Sequence, residues 1–182
     1  MTGLGKHRPA ALLAAAAATL VLAACGGGSG SSSGGSTIKQ GGVFRMGTSS
    51  TIDSLNPFIA IQSDAYTTFE YIYPTLVQYT PALKIVPNFA RSWKTSPDGR
   101  TWTFSTQPNA KWSDGKPLTA ADVVWTVNTM VKYQNGPAGL WAGSFAHLAS
   151  IKATDPTTVV ATYKRPVANV LSNLGLVPIL PK

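Results

Sequence analysis

Carboxylates and sulfur are scarce in this chain. Its 182 residues carry seven Asp and Glu together, one cysteine, and two histidines. Only His147 lies beyond the first twenty-five residues, and only Glu70 is a glutamate. A single thiol forbids any disulfide within the chain. A zinc centre or a Ser-His-Asp device would have to rest on His147, which stands between Ala146 and Leu148 with no His or Cys nearby. A packed or surface-satisfied histidine is the better reading. Glycoside hydrolysis needs two carboxylates across a cleft. Asp98 and Asp114 are available, but each precedes a glycine in a turn, where an aspartate bonds its own backbone. No catalytic residue, metal ligand or cofactor site is therefore assigned, and an enzyme is not expected. Basic runs are missing too. The formal charge is +8, or +6 without Lys6 and Arg8, and it is thinly spread, which excludes a nucleic-acid binder. No internal repeat is visible.

What is present begins at the N-terminus. Lys6, His7 and Arg8 form a positive head, followed by the apolar stretch Ala10 to Ala24. That run falls short of the ~20 residues that span a bilayer and suits a secretory signal. It ends in Leu22-Ala23-Ala24-Cys25, which resembles the lipobox of bacterial lipoproteins. The resemblance implies cleavage before Cys25 and lipidation of its sulfur, with residues 1–24 as signal peptide. An ordinary cleaved signal with an accidental Cys is the alternative. Acyl chains at ~0.8 kcal/mol per buried methylene would hold the protein on a membrane surface outside the cytoplasm. No twin-Arg pair is present, which favours general secretory export. The Gly/Ser-rich stretch up to Gly42 cannot bury a core and reads as a tether, with residues 25–42 spacing the folded part ~20–25 Å from the anchor. It carries neither a Walker Lys-Ser/Thr nor dinucleotide spacing.

The densest pattern lies between Ala90 and Asn128. Trp102 and Phe104 alternate with Thr101, Thr103 and Ser105, the period of a half-buried strand. Pro97-Asp98-Gly99 and Asp114-Gly115 are turns. Thr119 stands three residues before Asp122 as a capping box, with Leu118 and Val123 as a hydrophobic staple, and opens a helix to about Tyr133. Around this stretch, Val43 to Gly47 and Leu76 to Tyr79 read as strands. Ser63 or Asp64 caps a helix that buries Ala65, Phe69, Ile72 and Tyr73 and stops at Pro74. Asn135 to Gly143 reads as a Gly/Pro-rich loop carrying Trp141. Leu148 to Thr154 and Thr158 to Tyr163 flank an Asp155-Pro156 turn, and Pro166 starts a last helix, Val167 to Leu174, that Gly175 ends. Trp93, Trp102 and Trp125 suit a core; Trp112 and Trp141 are the candidates for a surface or cleft role.

These motifs coincide in one pattern. Gly41 to Gly47, Leu55-Asn56-Pro57, Pro87 to Trp93, Thr101 to Phe104, Lys111 to Gly115 and Pro117 to Val123 resemble, in order, the solute-binding proteins of the peptide/nickel/oligopeptide class (family 5). One departure is Thr106-Gln107, where the family usually has Leu-Arg; it is expected to cost a surface charge and leave the fold intact. The resemblance implies an α/β, type II periplasmic-binding-protein-like clamshell. Residues 43–73 would be the first piece of its large lobe and residues 74–182 its small α+β lobe, with the rest of the large lobe absent. It implies a monomeric receptor, anchored through Cys25, that passes a peptide-like solute to a membrane ABC permease. By position, Ile61-Gln62-Ser63 and the Gly136 to Trp141 loop match ligand-contacting regions, so Ile61, Ser63 and Trp141 are the expected ligand contacts. Such loops supply backbone hydrogen bonds to a peptide main chain. With one cleft wall missing, these residues alone are expected to bind no solute usefully. A secreted carbohydrate-active protein using Trp platforms, and a surface lipoprotein without transport function, are the competing readings.

Overall fold

The structure is a computed structural model and describes residues 41–43 and 45–182. The signal segment, Cys25 and most of the tether lie outside the described residues. The expected first strand does not form: residues 43 and 45–47 are exposed and carry no regular structure. Helix α1 spans Ser63–Ile72. The anticipated cap is not at Ser63 or Asp64, since Gln62 holds the N-cap position and no side chain caps it. Asp64 is instead drawn toward Ser50, accepting from its amide and hydroxyl at 2.8 Å each. Ala65 and Phe69 are buried as expected, but Ile72 is exposed. Tyr73 ends the helix in an extended conformation, φ −106° and ψ 135°, as the following proline demands.

Strands β1 (Val77–Tyr79) and β2 (Ile85–Pro87) form a small antiparallel hairpin. The main sheet holds β3 (Ala90–Thr95), β4 (Thr101–Thr106), β5 (Leu148–Asp155) and β6 (Thr158–Tyr163) in the order β3-β4-β6-β5, antiparallel throughout. Pairing sets Trp93 opposite Phe104, Phe104 opposite Val159, and Trp102 and Ile151 opposite Ala161, so these residues share one face. That face is the core: Phe104, Val159 and Ala161 are fully buried. The other face carries Thr101, Thr103, Ser105, Thr158 and Thr162, half-buried and polar, which is why alternation reads so clearly.

Helix α2 (Ala120–Lys132) packs on β5 and β6 with Val123, Val127 and Met130 inward. Its capping box forms, and the Asp122 carboxylate accepts from the Thr119 amide at 2.8 Å and its hydroxyl at 3.0 Å. The turns hold as read. Asp98 accepts from Arg100 N, Asp114 from Lys116 N, and Asp155 from Thr157 N.

Two further expectations fail. The loop around Trp141 is a 3₁₀ helix, Pro137–Phe145, with proline preset at its start. The last helix is absent: turns lead to a short 3₁₀ segment, Leu174–Leu176. Gly175 lies so close to β1 that a Cβ there would sit 2.8 Å from Val77 Cγ2. Leu176 N and Val177 N still close local turns onto Asn173 O and Leu174 O, and beyond them the backbone bonds distant groups. Ile179 N donates to Pro74 O (2.9 Å), and Leu180 N donates to the Thr126 hydroxyl (3.0 Å), which returns a bond to Leu180 O (3.2 Å). Gln107 is exposed, so the departure at Thr106-Gln107 does fall on the surface at its charged position, while Thr106 continues the inward face of Trp102 and Phe104. It is fully buried, and its hydroxyl has no partner among the described residues.

Candidate functional site

The loop before α1 is built around aspartate and asparagine. Asp53 accepts from the amides of Ile61 (2.7 Å) and Gln62 (3.3 Å), and Asn56 Oδ1 accepts from Phe58 N (2.9 Å). The Ile61 amide is the main reason the Asp53 carboxyl lies below its ordinary range; the Gln62 amide adds to the effect. Such side-chain-to-backbone bonds let a loop hold a fixed path without a ladder.

An aromatic row then ties this loop to the rest of the chain. Trp141 donates its indole N–H to Pro57 O at 3.3 Å and lies over Tyr66, ring centres 5.4 Å apart. Tyr66 packs on Phe69, Phe69 on Tyr73, and the two tyrosine hydroxyls bond Ala60 O (3.0 Å) and Leu55 O (2.7 Å). Burial pushes both phenols above their ordinary pKa, with the nearby Asp53 charge adding to the effect at Tyr66.

The expected contact residues fall as follows. Ile61 is 61% exposed and presents its side chain to solvent. Ser63, at the first position of α1, is exposed, and its carbonyl accepts the Thr67 hydroxyl at 3.4 Å. Trp141 is half-buried, and Pro57 and Tyr66 join it to the segment that carries the other two. The Ile61 and Gln62 amides, however, are already taken by Asp53, so a peptide main chain arriving there would have to use other groups. The open groups are the Ile61 side chain, the Ser63 hydroxyl and the outer face of the Trp141 ring. Sequence reasoning missed Asp53 and Tyr66, which build the site without facing outward. An Asp three residues before Asn-Pro was the available signal for the first.

Chemistry beyond binding has little to work with here. All six aspartates accept local backbone or hydroxyl hydrogen bonds. Among the described residues no group of three His, Cys, Asp or Glu could hold a metal ion.

The described residues thus join an aromatic-braced loop to an antiparallel sheet backed by one helix. The profile of the bacterial extracellular solute-binding proteins, family 5 Middle, matches residues 84–182. The chain belongs to that family. It is 34% identical over 143 residues to a Brucella ovis protein named as an ABC transporter peptide-binding protein, covering 78% of this chain and 26% of that one. Over 98 residues it is 36% identical to the periplasmic murein peptide-binding protein of Escherichia coli, covering 54% of this chain and 18% of the relative. The Helicobacter pylori periplasmic binding protein DppA, solved with the peptide STSA, superposes with a TM-score of 0.59 at 29% identity, over 70% of this chain and 28% of its own. The fold is thus the mixed helix-and-sheet, type II periplasmic-binding-protein class. The chain spans about a quarter of the length of the first of these relatives.

Proposed function

We propose that this chain is part of a lipid-anchored receptor that captures peptides or similar small solutes outside the cytoplasm and delivers them to a membrane ABC permease. The observation that carries this reading is the family match over residues 84–182. The relatives named as peptide-binding support the solute class. In this reading Cys25 is the lipidated residue, residues 1–24 are removed, residues 25–42 are the tether, and residues 43–73 and 74–182 belong to the large and small lobes. Ile61, Ser63 and the face of Trp141 contact the solute. Asp53 fixes the loop so that side chains, more than its amides, meet the ligand.

Two measurements test it. Deleting the gene is expected to cut uptake of a labelled tripeptide mixture by cells; unchanged uptake would sink the transport reading. Cys25→Ala is expected to move the protein from the membrane fraction into the soluble one and to abolish incorporation of labelled palmitate. Retention on the membrane would remove the anchor from the proposal while leaving the solute reading intact.

A further inference from the structure

Away from the Trp141 loop, a cavity of about 460 Å³ opens at the end of the sheet where β5 begins and β6 has ended. Its walls include Gly143, His147, Arg165, Pro166, Asn169 and Asn173, and no carboxylate lines it. The Arg165 guanidinium meets Nε2 of His147 instead, at 2.5 Å. Among the described residues the one side-chain ion pair is Lys116–Asp114, so Arg165 has no acidic partner there. A guanidinium only donates, so Nε2 is the acceptor at this contact. Arg165 is thus matched with an imidazole rather than a carboxylate, and among the described residues its other N–H groups make no hydrogen bond. Asn169 and Asn173 add carboxamides to the same wall. Among the described residues these carboxamides make no hydrogen bond, and only backbone groups of the two residues are engaged. Asn169 O accepts from Asn173 N and Ser172 Oγ (both 3.1 Å), and Asn173 O accepts from Leu176 N (3.2 Å).

The frame around these groups is fixed. Leu148 pairs with Tyr163 in the last rung of β5 and β6, and Lys164 N extends it by donating to His147 O at 2.8 Å. His147 takes up φ +64°, unusual for a residue with a side chain, which turns its ring toward Arg165. Pro166 rests against Gly99, and Val167 N donates to Gly99 O at 3.3 Å. Backbone held in a sparsely populated conformation around open donors is a pointer to binding.

We propose that this cavity is a binding site for a small organic carboxylate. Arg165 is its charged fork, and His147, Asn169 and Asn173 are its neutral partners. A carboxylate accepts two parallel N–H bonds from a guanidinium and so replaces the poor acceptor His147 with a charged one. The groove is open to solvent, and its volume lies within the range of small-molecule sites, ~300–1,000 Å³. Arg165 is the one Lys or Arg in the lining, which suits a singly charged head better than a phosphate.

The test is a titration of the isotopically labelled 182-residue chain with succinate or inorganic phosphate at constant ionic strength, followed by NMR at Arg165 Nε–H and the His147 ring. Succinate is expected to give saturable shifts at both groups. Arg165→Gln abolishes them, Asn173→Ala weakens binding about fivefold as one hydrogen bond is lost, and the neighbouring Lys164→Gln leaves them unchanged. Shifts that grow linearly without saturating, or saturation that survives Arg165→Gln, would overturn the site. Tighter saturation by phosphate than by succinate would overturn the carboxylate assignment.

Discussion

Residues 45–73 and residues 74–182 are held together by different chemistry. In the later region, backbone ladders join four strands, and one continuous core runs from Leu76 through Phe104 and Val127 to Leu180. In the earlier region there is one helix and no strand, and the buried hydrophobic cluster is Ala60, Ala65 and Phe69. There the path is fixed by side chains bonding backbone: Asp53 to Ile61, Tyr66 to Ala60, Tyr73 to Leu55, and Trp141 to Pro57. Ladders cooperate over many residues, whereas such bonds act singly. Local openings should therefore start in the earlier region. That is also the region carrying the proposed contacts Ile61 and Ser63.

The contrast can be broken or sharpened by mutation. Phe104→Ala empties the centre of the sheet core and is expected to cost about 3–5 kcal/mol. Urea denaturation should show the loss with every probe; a smaller effect confined to the sheet would mean the two regions unfold independently. Phe69→Ala removes the one large buried side chain of the earlier cluster, about 3 kcal/mol of local packing. Its signature is faster hydrogen exchange over residues 53–73 with the β4 and β6 amides unchanged, and uniform acceleration would contradict the contrast. Trp141→Phe keeps a ring over Tyr66 but loses the bond to Pro57 O, about 1 kcal/mol. Exchange at Ile59 and Ala60 should rise while α2 stays protected.

Thr106→Val acts in the opposite direction. It replaces a buried hydroxyl without a partner by an isosteric methyl, so thermal unfolding should show about 1 kcal/mol of added stability. A loss would mean the hydroxyl is satisfied in solution. The smallest effect concerns acid. The Asp53 carboxyl is lowered in the folded chain, first by the Ile61 amide, so its contribution is complete above the ordinary carboxylate value of 3.8 and fades as pH falls through the lower folded value. Protection of the Ile61 amide, corrected for intrinsic exchange, should drop over that window and be insensitive to pH in Asp53→Asn.

The two regions were also unequally legible. Trp102 and Phe104 alternate with threonines because one sheet face is buried and the other wet, a pattern written into consecutive residues. Thr119 and Asp122 meet three positions apart, and the capping box is as local as the turns at Asp98, Asp114 and Asp155. The failures are non-local. Val167 to Leu174 has helical periodicity, but it forms only turns and a short 3₁₀ segment, with Gly175 set against the distant Val77. Trp141 looked like a loop residue because its partner, Pro57, is distant in sequence. For the candidate site, position singled out Ile61, Ser63 and Trp141, while the aspartate that occupies two of the loop amides stayed out of view. A side chain reaching back to Ile61 and Gln62 leaves no periodic trace.

The bond pair between Thr126 and Leu180 has a consequence for synthesis. Thr126 of α2 leaves the ribosome some fifty residues ahead of Leu180, whose backbone both donates to its hydroxyl and accepts from it. Until Leu180 emerges, that hydroxyl lacks the partner it has in the folded chain, at the stage when a growing chain is most prone to wrong association. The order of translation thus lets α2 and the sheet form before this long-range pair ties the helix to residues 179–180.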